Sequence, residues 1–108
     1  MRIIDTGNEI KCLSGDNHPQ LKIGDKLYLV DDRQSTYEKI QEINDNTELT
    51  EKERSRKTVE LALGKEAAAE ILPDITVSGN INLSFFIMAA ITGEEYEELK
   101  KAARERKN

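Results

Sequence analysis

Residue types that commonly carry chemistry are scarce in this chain. Its 108 residues include no tryptophan, one cysteine (Cys12) and one histidine (His18). A single cysteine cannot form an internal disulfide, and one Cys with one His does not supply the four ligands of a structural zinc site. The sequence also shows no partner that would activate Cys12 as a nucleophile or His18 as a general base. We therefore expect no enzymatic activity, no cofactor and no metal. Cys12 is expected to pack as a small apolar residue in a strand, and His18 to lie exposed in a loop.

Long apolar runs are also lacking. The longest, Phe85 to Ile91, is far shorter than the ~20 residues that a membrane-spanning helix needs. The first residues, MRIIDTGNEIK, contain no apolar run of signal-peptide length. A lone cysteine suits a reducing compartment. The sequence therefore predicts a cytoplasmic protein without a membrane partner.

Basic residues are outnumbered by acidic ones. The chain has 16 Lys and Arg against 21 Asp and Glu, a net charge of −5, whereas a basic footprint usually marks nucleic-acid binding. The segment LALGKEAAAEIL (61–72) superficially suggests a helix-turn-helix, but it lacks a basic recognition helix. The basic tail KKAARERKN is interpreted as the charge complement of a helix C-terminus. We expect no nucleic-acid partner.

What the sequence does contain indicates a single α+β domain, mainly α, over residues 1–108. Residues 1–33 are predicted to be the β region, with two or three short strands. Leu21–Ile23 and Lys26–Val30 flank Gly24-Asp25, and a glycine first in a two-residue loop suits a type II′ hairpin. Further β segments are predicted near Arg2–Ile4 and over 9–13. The alternation leaves open whether Leu27 and Leu29, or Tyr28 and Val30, face the core.

Residues 34–108 are predicted to form four to five short helices. Three capping boxes, in which a Ser or Thr precedes a Glu by three residues, mark helix starts at Ser35, Thr50 and Thr92. Asp31 and Asp32 just before the first helix are assigned to loop and cap roles, because no calcium-type spacing surrounds them. The predicted helices begin near Ser35, then cover Glu51–Leu63 with Gly64 as C-cap, Lys65–Leu72 before Pro73, Asn80–Ile91 after a linker over 74–80, and Glu94 to about Arg106.

The densest apolar stretch is SGNINLSFFIMAAI (78–91). The simplest interpretation is a core helix. A helix that is apolar all round must be buried by something, however, and one hairpin and three one-sided helices offer limited cover. We therefore expect Phe85 and its neighbours to face the hairpin and residues 67–72, with another face free for a partner or a second copy. The residues predicted to bind that partner are Leu83, Phe86, Met88, Ile91, Tyr96 and Leu99.

Two segments resemble phage tail assembly chaperones of Gram-positive phages and prophages. They are IGDKLYLVDD followed by TYEKIQEI, and LALGKEAAAEIL; the loop SGDNHPQ departs from the pattern. The resemblance implies a protein of the bacterial host cytoplasm that binds the tape-measure protein, keeps it in solution and helps to recruit tail-tube subunits. It implies no catalysis, and several copies acting together.

Three alternatives remain open from the sequence. A small acidic regulator or antitoxin would share the composition and the helical content. A tail structural subunit would be expected to contain more strand. An enzyme is disfavoured, because Cys12 and His18 have no visible partners.

Overall fold

A computed structural model describes residues 2–7 and 18–106, and it shows a hairpin followed by helices, as predicted. The hairpin consists of β1 and β2, and five α-helices follow within the described residues. A short 3₁₀ helix, Leu72–Asp74, connects α3 to α4. The elements are β1 Gln20–Ile23, β2 Lys26–Leu29, α1 Gln34–Asp45, α2 Glu51–Leu63, α3 Lys65–Ile71, α4 Val77–Thr92 and α5 Tyr96–Arg106.

The two strands pair antiparallel through the predicted two-residue turn. Ile23 lies opposite Lys26, so Gly24 and Asp25 form the loop. Gly24 has a φ of 62°, and no non-glycine residue in the described ranges has a positive φ. A positive φ at the first loop position alone is the type II′ conformation, which confirms the predicted turn. The β segment predicted at 2–4 is wrong, because residues 2–6 form no strand; the one predicted at 9–13 lies outside the described residues.

The register decides which hairpin face meets the core. Leu21 lies opposite Tyr28, so their side chains share one face with Val30, which is only 1% exposed. Leu27 and Leu29 point to the other side and remain 64% and 57% exposed. Of the two faces that the sequence left open, the Tyr28 and Val30 face is therefore the buried one.

The start of α1 differs from the prediction. The helix begins at Gln34 after the N-cap position Arg33, and no Ser35 capping box forms. Instead, the carboxylate of Asp31, which lies outside the helix, accepts hydrogen bonds from the Arg33 backbone N–H at 3.2 Å and from the Thr36 hydroxyl at 2.8 Å. The Asp31 backbone N–H donates to Ala62 O at 2.8 Å, so the same residue joins the hairpin, α1 and α2.

The α2 helix follows its prediction at both ends. Its capping box is complete: the Glu53 backbone N–H donates to Thr50 Oγ1 at 3.1 Å, and the Thr50 backbone N–H donates to Glu53 Oε1 at 3.4 Å. Gly64 ends the helix with a φ of 95° and a ψ of 159°, a conformation that essentially only glycine adopts.

Replacing Thr50 by alanine should lower the free energy of unfolding by about 1 kcal/mol, because the N-terminal N–H groups of α2 lose their side-chain acceptor. Thr50 is exposed, so little packing changes. Urea unfolding followed by circular dichroism measures the loss. Thr50→Ser keeps the acceptor and should stay close to wild type; equal losses in both variants would show that the cap is not responsible.

The predicted linker over 74–80 is too long, because α4 already begins at Val77. Thr76 caps it, accepting from the Gly79 backbone N–H at 3.0 Å. The predicted Thr92 capping box of α5 is also wrong. Thr92 instead closes α4, with its hydroxyl donating to Met88 O at 2.8 Å, and Gly93 follows in the left-handed conformation. A glycine in this position typically ends a helix.

The core lies where the hairpin meets α1, α2, α3 and α4. Ile40 of α1 and Ile87 of α4 are fully buried, and Val59 of α2 is 3% exposed. Helices that are neighbours in sequence contact each other: α1 with α2, α2 with α3, and α4 with α5. α4 also returns to contact α2 and β1. It is therefore the element that connects the end of the chain to its beginning.

Candidate functional site

The α4 helix carries apolar residues around most of its circumference, but the core takes up only part of it. Leu83 and Ile87 point inward and are 5% and 0% exposed. They are four residues apart, so they lie on one face of the helix. Ala90 and Ile91 extend that side and pack partly buried against the core. The rest of the helix is left to solvent or to α5.

A stripe on α4 away from the core is exposed. Val77 is 81% exposed and Ile81 is 54% exposed, while Met88 is half-buried. Their spacings of four and seven residues place the three side chains on the same face of the helix. We call Val77, Ile81 and Met88 the α4 outer stripe. Its positions i, i+4 and i+11 follow the helical repeat by which partner helices contact an apolar face.

An aromatic pair lies where α5 meets α4. The rings of Phe86 and Tyr96 stack with their centroids 3.8 Å apart and an interplanar angle of 2°. Lys100 Nζ lies 5.4 Å from the Tyr96 ring centroid, within cation–π distance. Phe86 nevertheless remains 42% exposed. The stack fixes the orientation of both rings and leaves apolar ring surface open to a partner.

The six residues predicted to bind a partner do not share one surface. Phe86 and Tyr96 are brought together, whereas Leu83 faces the core and was wrongly expected to point outward. Ile91 packs against the core, and Met88 and Leu99 are half-buried. Phe85, expected to face the hairpin, is half-buried outside the core cluster. The outer stripe residues Val77 and Ile81 were missed, although Thr76 just before Val77 is a typical N-cap residue that signals an earlier helix start.

A groove of about 640 Å³ opens between α2, α3 and the start of α4. Its apolar lining comes from Ala68, Leu72 and Ile75, among others, and Asn80 closes one side by donating to Ser55 Oγ at 2.7 Å. Charged residues of both signs surround the apolar lining: Lys52, Arg56 and Lys65 with Glu53 and Glu60. Such a mixed groove offers a second place for an apolar segment and shows no cluster of catalytic groups.

Of the two residues considered for catalysis, only His18 lies within the described residues, and its placement differs from the expectation. His18 is not an exposed loop residue, because its side chain is only 13% exposed and its Nδ1 lies 4.0 Å from Asp32 Oδ1. Cys12 lies outside the described residues. Within residues 2–7 and 18–106, no group of three or more His, Cys, Asp or Glu side chains is arranged to hold a metal ion. Nor is any helix there long and apolar enough to cross a membrane.

Comparisons with known proteins found no relative. No protein-family model, curated protein or solved structure matches this chain. The features that bear on its function are therefore the α4 outer stripe, the aromatic pair and the sequence resemblance described above.

Proposed function

We propose that this protein is a phage tail assembly chaperone that covers apolar helical faces of a tape-measure protein and helps to recruit tail-tube subunits. The observation that carries the proposal is the incomplete burial of α4: the core takes up Leu83 and Ile87, while Val77, Ile81 and Phe86 stay exposed. A small protein that leaves such residues on one helix presents an interaction surface. The resemblance carried by the segments that precede α4 implies a tape-measure protein as the partner.

The mechanism is the covering of one apolar helix surface by another. A long helical protein that awaits enclosure in a tube exposes apolar faces, and these would otherwise aggregate in water. The α4 outer stripe presents side chains at helical spacing, so it matches the periodicity of such a face. Phe86, held by Tyr96, lies about 140° around the helix from Ile81 and adds a rigid aromatic contact on the other flank of α4. The interaction needs no covalent step.

The size of the surface indicates how many copies act together. Fully burying an exposed aliphatic or Phe side chain contributes about 1.5–3 kcal/mol, so covering the exposed fractions of Val77, Ile81 and Phe86 supplies on the order of 3–5 kcal/mol. Association itself costs an estimated ~4–15 kcal/mol. A single copy of this protein would therefore bind a helix of the partner weakly. Tight binding requires several copies along the same partner chain.

Co-expression with a tape-measure protein tests the proposal. The chaperone should move the tape-measure protein into the soluble fraction and co-purify with it. The double variant Ile81→Glu and Phe86→Glu should lose both effects, because it places a charge on each of the two exposed flanks of α4. Both residues are more than one-third exposed, so the variant should still fold.

Ile3→Glu is the matched control, since Ile3 is 88% exposed and lies outside the helical region. It should behave like wild type. If wild type neither solubilises nor co-purifies the tape-measure protein, the proposed function is wrong. If the double variant remains fully active while folded, the binding surface lies elsewhere.

A further inference from the structure

The hydrogen-bond pattern of the hairpin shows which backbone groups point away from it. The Val30 N–H donates to Pro19 O at 2.9 Å, so this pair is bonded across the hairpin. In an antiparallel ladder, bonded and non-bonded pairs alternate. With Gln20 opposite Leu29 and Lys22 opposite Leu27, these two pairs are the non-bonded ones. The N–H and C=O groups of Leu27 and Leu29 therefore point outward from β2.

The outer edge of β2 has a defined length. Within the described ranges, no backbone or side-chain group hydrogen-bonds to the outward groups of Leu27 and Leu29. The next outward group, the Asp31 N–H, donates to Ala62 O at 2.8 Å and is occupied. The available edge therefore extends from Leu27 to Leu29. Its unpaired groups are a template for another strand.

The side chains on this edge are apolar, unlike those of the other strand. Leu27 and Leu29 are 64% and 57% exposed on the face turned away from the core. The corresponding positions of β1 are Lys22 and Gln20, and β1 lies next to α4. Charged and polar edge residues discourage strand addition, whereas exposed leucines do not. The β2 edge is therefore the one suited to pairing.

We propose that the β2 edge pairs antiparallel with the β2 edge of a second copy, about a two-fold axis through Tyr28. In this register Leu27 of each copy lies opposite Leu29 of the other copy. Each outward N–H of these two residues therefore meets an outward C=O of the second copy. A register centred on Leu29 would place Leu27 opposite Asp31, whose N–H is occupied. A register centred on Leu27 would place Leu29 opposite Asp25 of the turn. Only pairing about Tyr28 uses both free residues of both copies.

The result is a four-stranded sheet, two strands from each copy, with leucines from both copies side by side on its solvent face. Adjacent side chains on neighbouring antiparallel strands are close enough to pack. This short edge makes a smaller contact than a standard protein–protein interface, which buries about 1,200–2,000 Å² of surface. We therefore expect a dimer with a dissociation constant between roughly 10 µM and 1 mM.

Sedimentation velocity across a range of concentrations tests for this dimer. Wild type should shift from monomer to dimer, and Leu27→Lys should weaken association at least about tenfold, because it places two like charges beside the new strand pair. Ile81→Lys is the control, with similar exposure on α4, and it should associate like wild type. A wild type that stays monomeric at about 1 mM would overturn the proposal, as would equal weakening by both variants.

Cross-linking tests the register itself. In a Cys12→Ser background, Tyr28→Cys places two cysteines opposite each other at a non-bonded pair, where the Cα atoms lie about 4.5 Å apart, within the range for a disulfide. Oxidation should give a covalent dimer on a non-reducing gel. Lys22→Cys on β1 is the matched control and should stay monomeric. Cross-linking of Lys22→Cys to the same extent, or none of Tyr28→Cys, would rule out pairing about Tyr28.

Discussion

Replacing Ile87 by alanine is expected to lower the free energy of unfolding by about 2–5 kcal/mol, the range for large-to-small changes at buried aliphatic positions. Ile87 is 0% exposed and belongs to the cluster that joins the hairpin to the helices. The change removes buried apolar surface and leaves a cavity. Since small domains are stable by only about 5–15 kcal/mol in total, this loss is a large fraction of the stability of the fold.

Ile81→Ala is the matched control, because it makes the same chemical change six residues earlier on the same helix. Ile81 is 54% exposed, so its truncation should change stability by no more than about 0.5 kcal/mol. Urea midpoints for the two variants and wild type provide the comparison. A loss at Ile81 as large as that at Ile87 would contradict the assignment of the inner and outer faces of α4.

Removing the Asp31 carboxylate is expected to lower the free energy of unfolding by about 1–3 kcal/mol at neutral pH. The reason is that the buried Thr36 hydroxyl and the Arg33 guanidinium lose their charged hydrogen-bond partner. The Arg33 guanidinium donates to Asp31 through Nε at 3.0 Å and Nη2 at 2.8 Å. The hydroxyl of Thr36, a residue only 5% exposed, donates to the same carboxylate at 2.8 Å. Asp31→Asn keeps the shape but cannot accept from both sides of the guanidinium.

The effect of this variant should depend on pH. Hydrogen bonds from Arg33, and then from Thr36, hold the pKa of Asp31 at about 2, below its ordinary 3.8. A lowered folded-state pKa adds stability that is fully present above pH 3.8 and is lost as the pH falls toward 2. Because Arg33 is 53% exposed, solvent screening limits the contribution of the lowered Asp31 pKa to the free energy of unfolding to roughly 1–2 kcal/mol.

Urea unfolding of wild type and Asp31→Asn at several pH values between 2 and 7 measures that dependence. The stability difference between them should be constant above about pH 4.5 and should shrink below it. Other carboxylates titrate in both proteins, so the difference isolates Asp31. A difference that stays the same from pH 7 to pH 2 would contradict the role of the charged carboxylate.

The helix boundaries were predictable where local chemistry acts alone. The Thr50 box and Gly64 define the two ends of α2 through interactions between residues close together in sequence. The other two predicted boxes failed because a competing group was better placed. The carboxylate of Asp31, which directly follows the hairpin, accepts hydrogen bonds from the start of α1 in place of the Ser35 hydroxyl. Gly93 stops α4 just after Thr92, so the Thr92 hydroxyl belongs to the end of one helix rather than the start of the next.

The candidate site was harder to predict because α4 has no polar face to orient it. In an ordinary amphipathic helix, the polar stripe shows which side is outward. With apolar residues around most of the helix, the assignment of Leu83 to the core depends on contacts with β1 and α2, which are distant in sequence. The hairpin shows the same limit: alternation separated its two faces, but only the packing of Val30 against the helices identified the buried one.

The pattern of contacts between α4 and the rest of the chain also has a consequence for folding. The hairpin, the α1–α2–α3 run and the α4–α5 pair are each built from neighbouring segments, and such local contacts form quickly. The docking of α4 onto α2 and β1 closes the longest loop, so its entropic cost falls on this one step. We therefore infer that the α4–α5 pair opens as a unit at a lower free energy than global unfolding, a difference that native-state hydrogen exchange measures. When it opens, Leu83 and Ile87 become accessible together with the outer stripe.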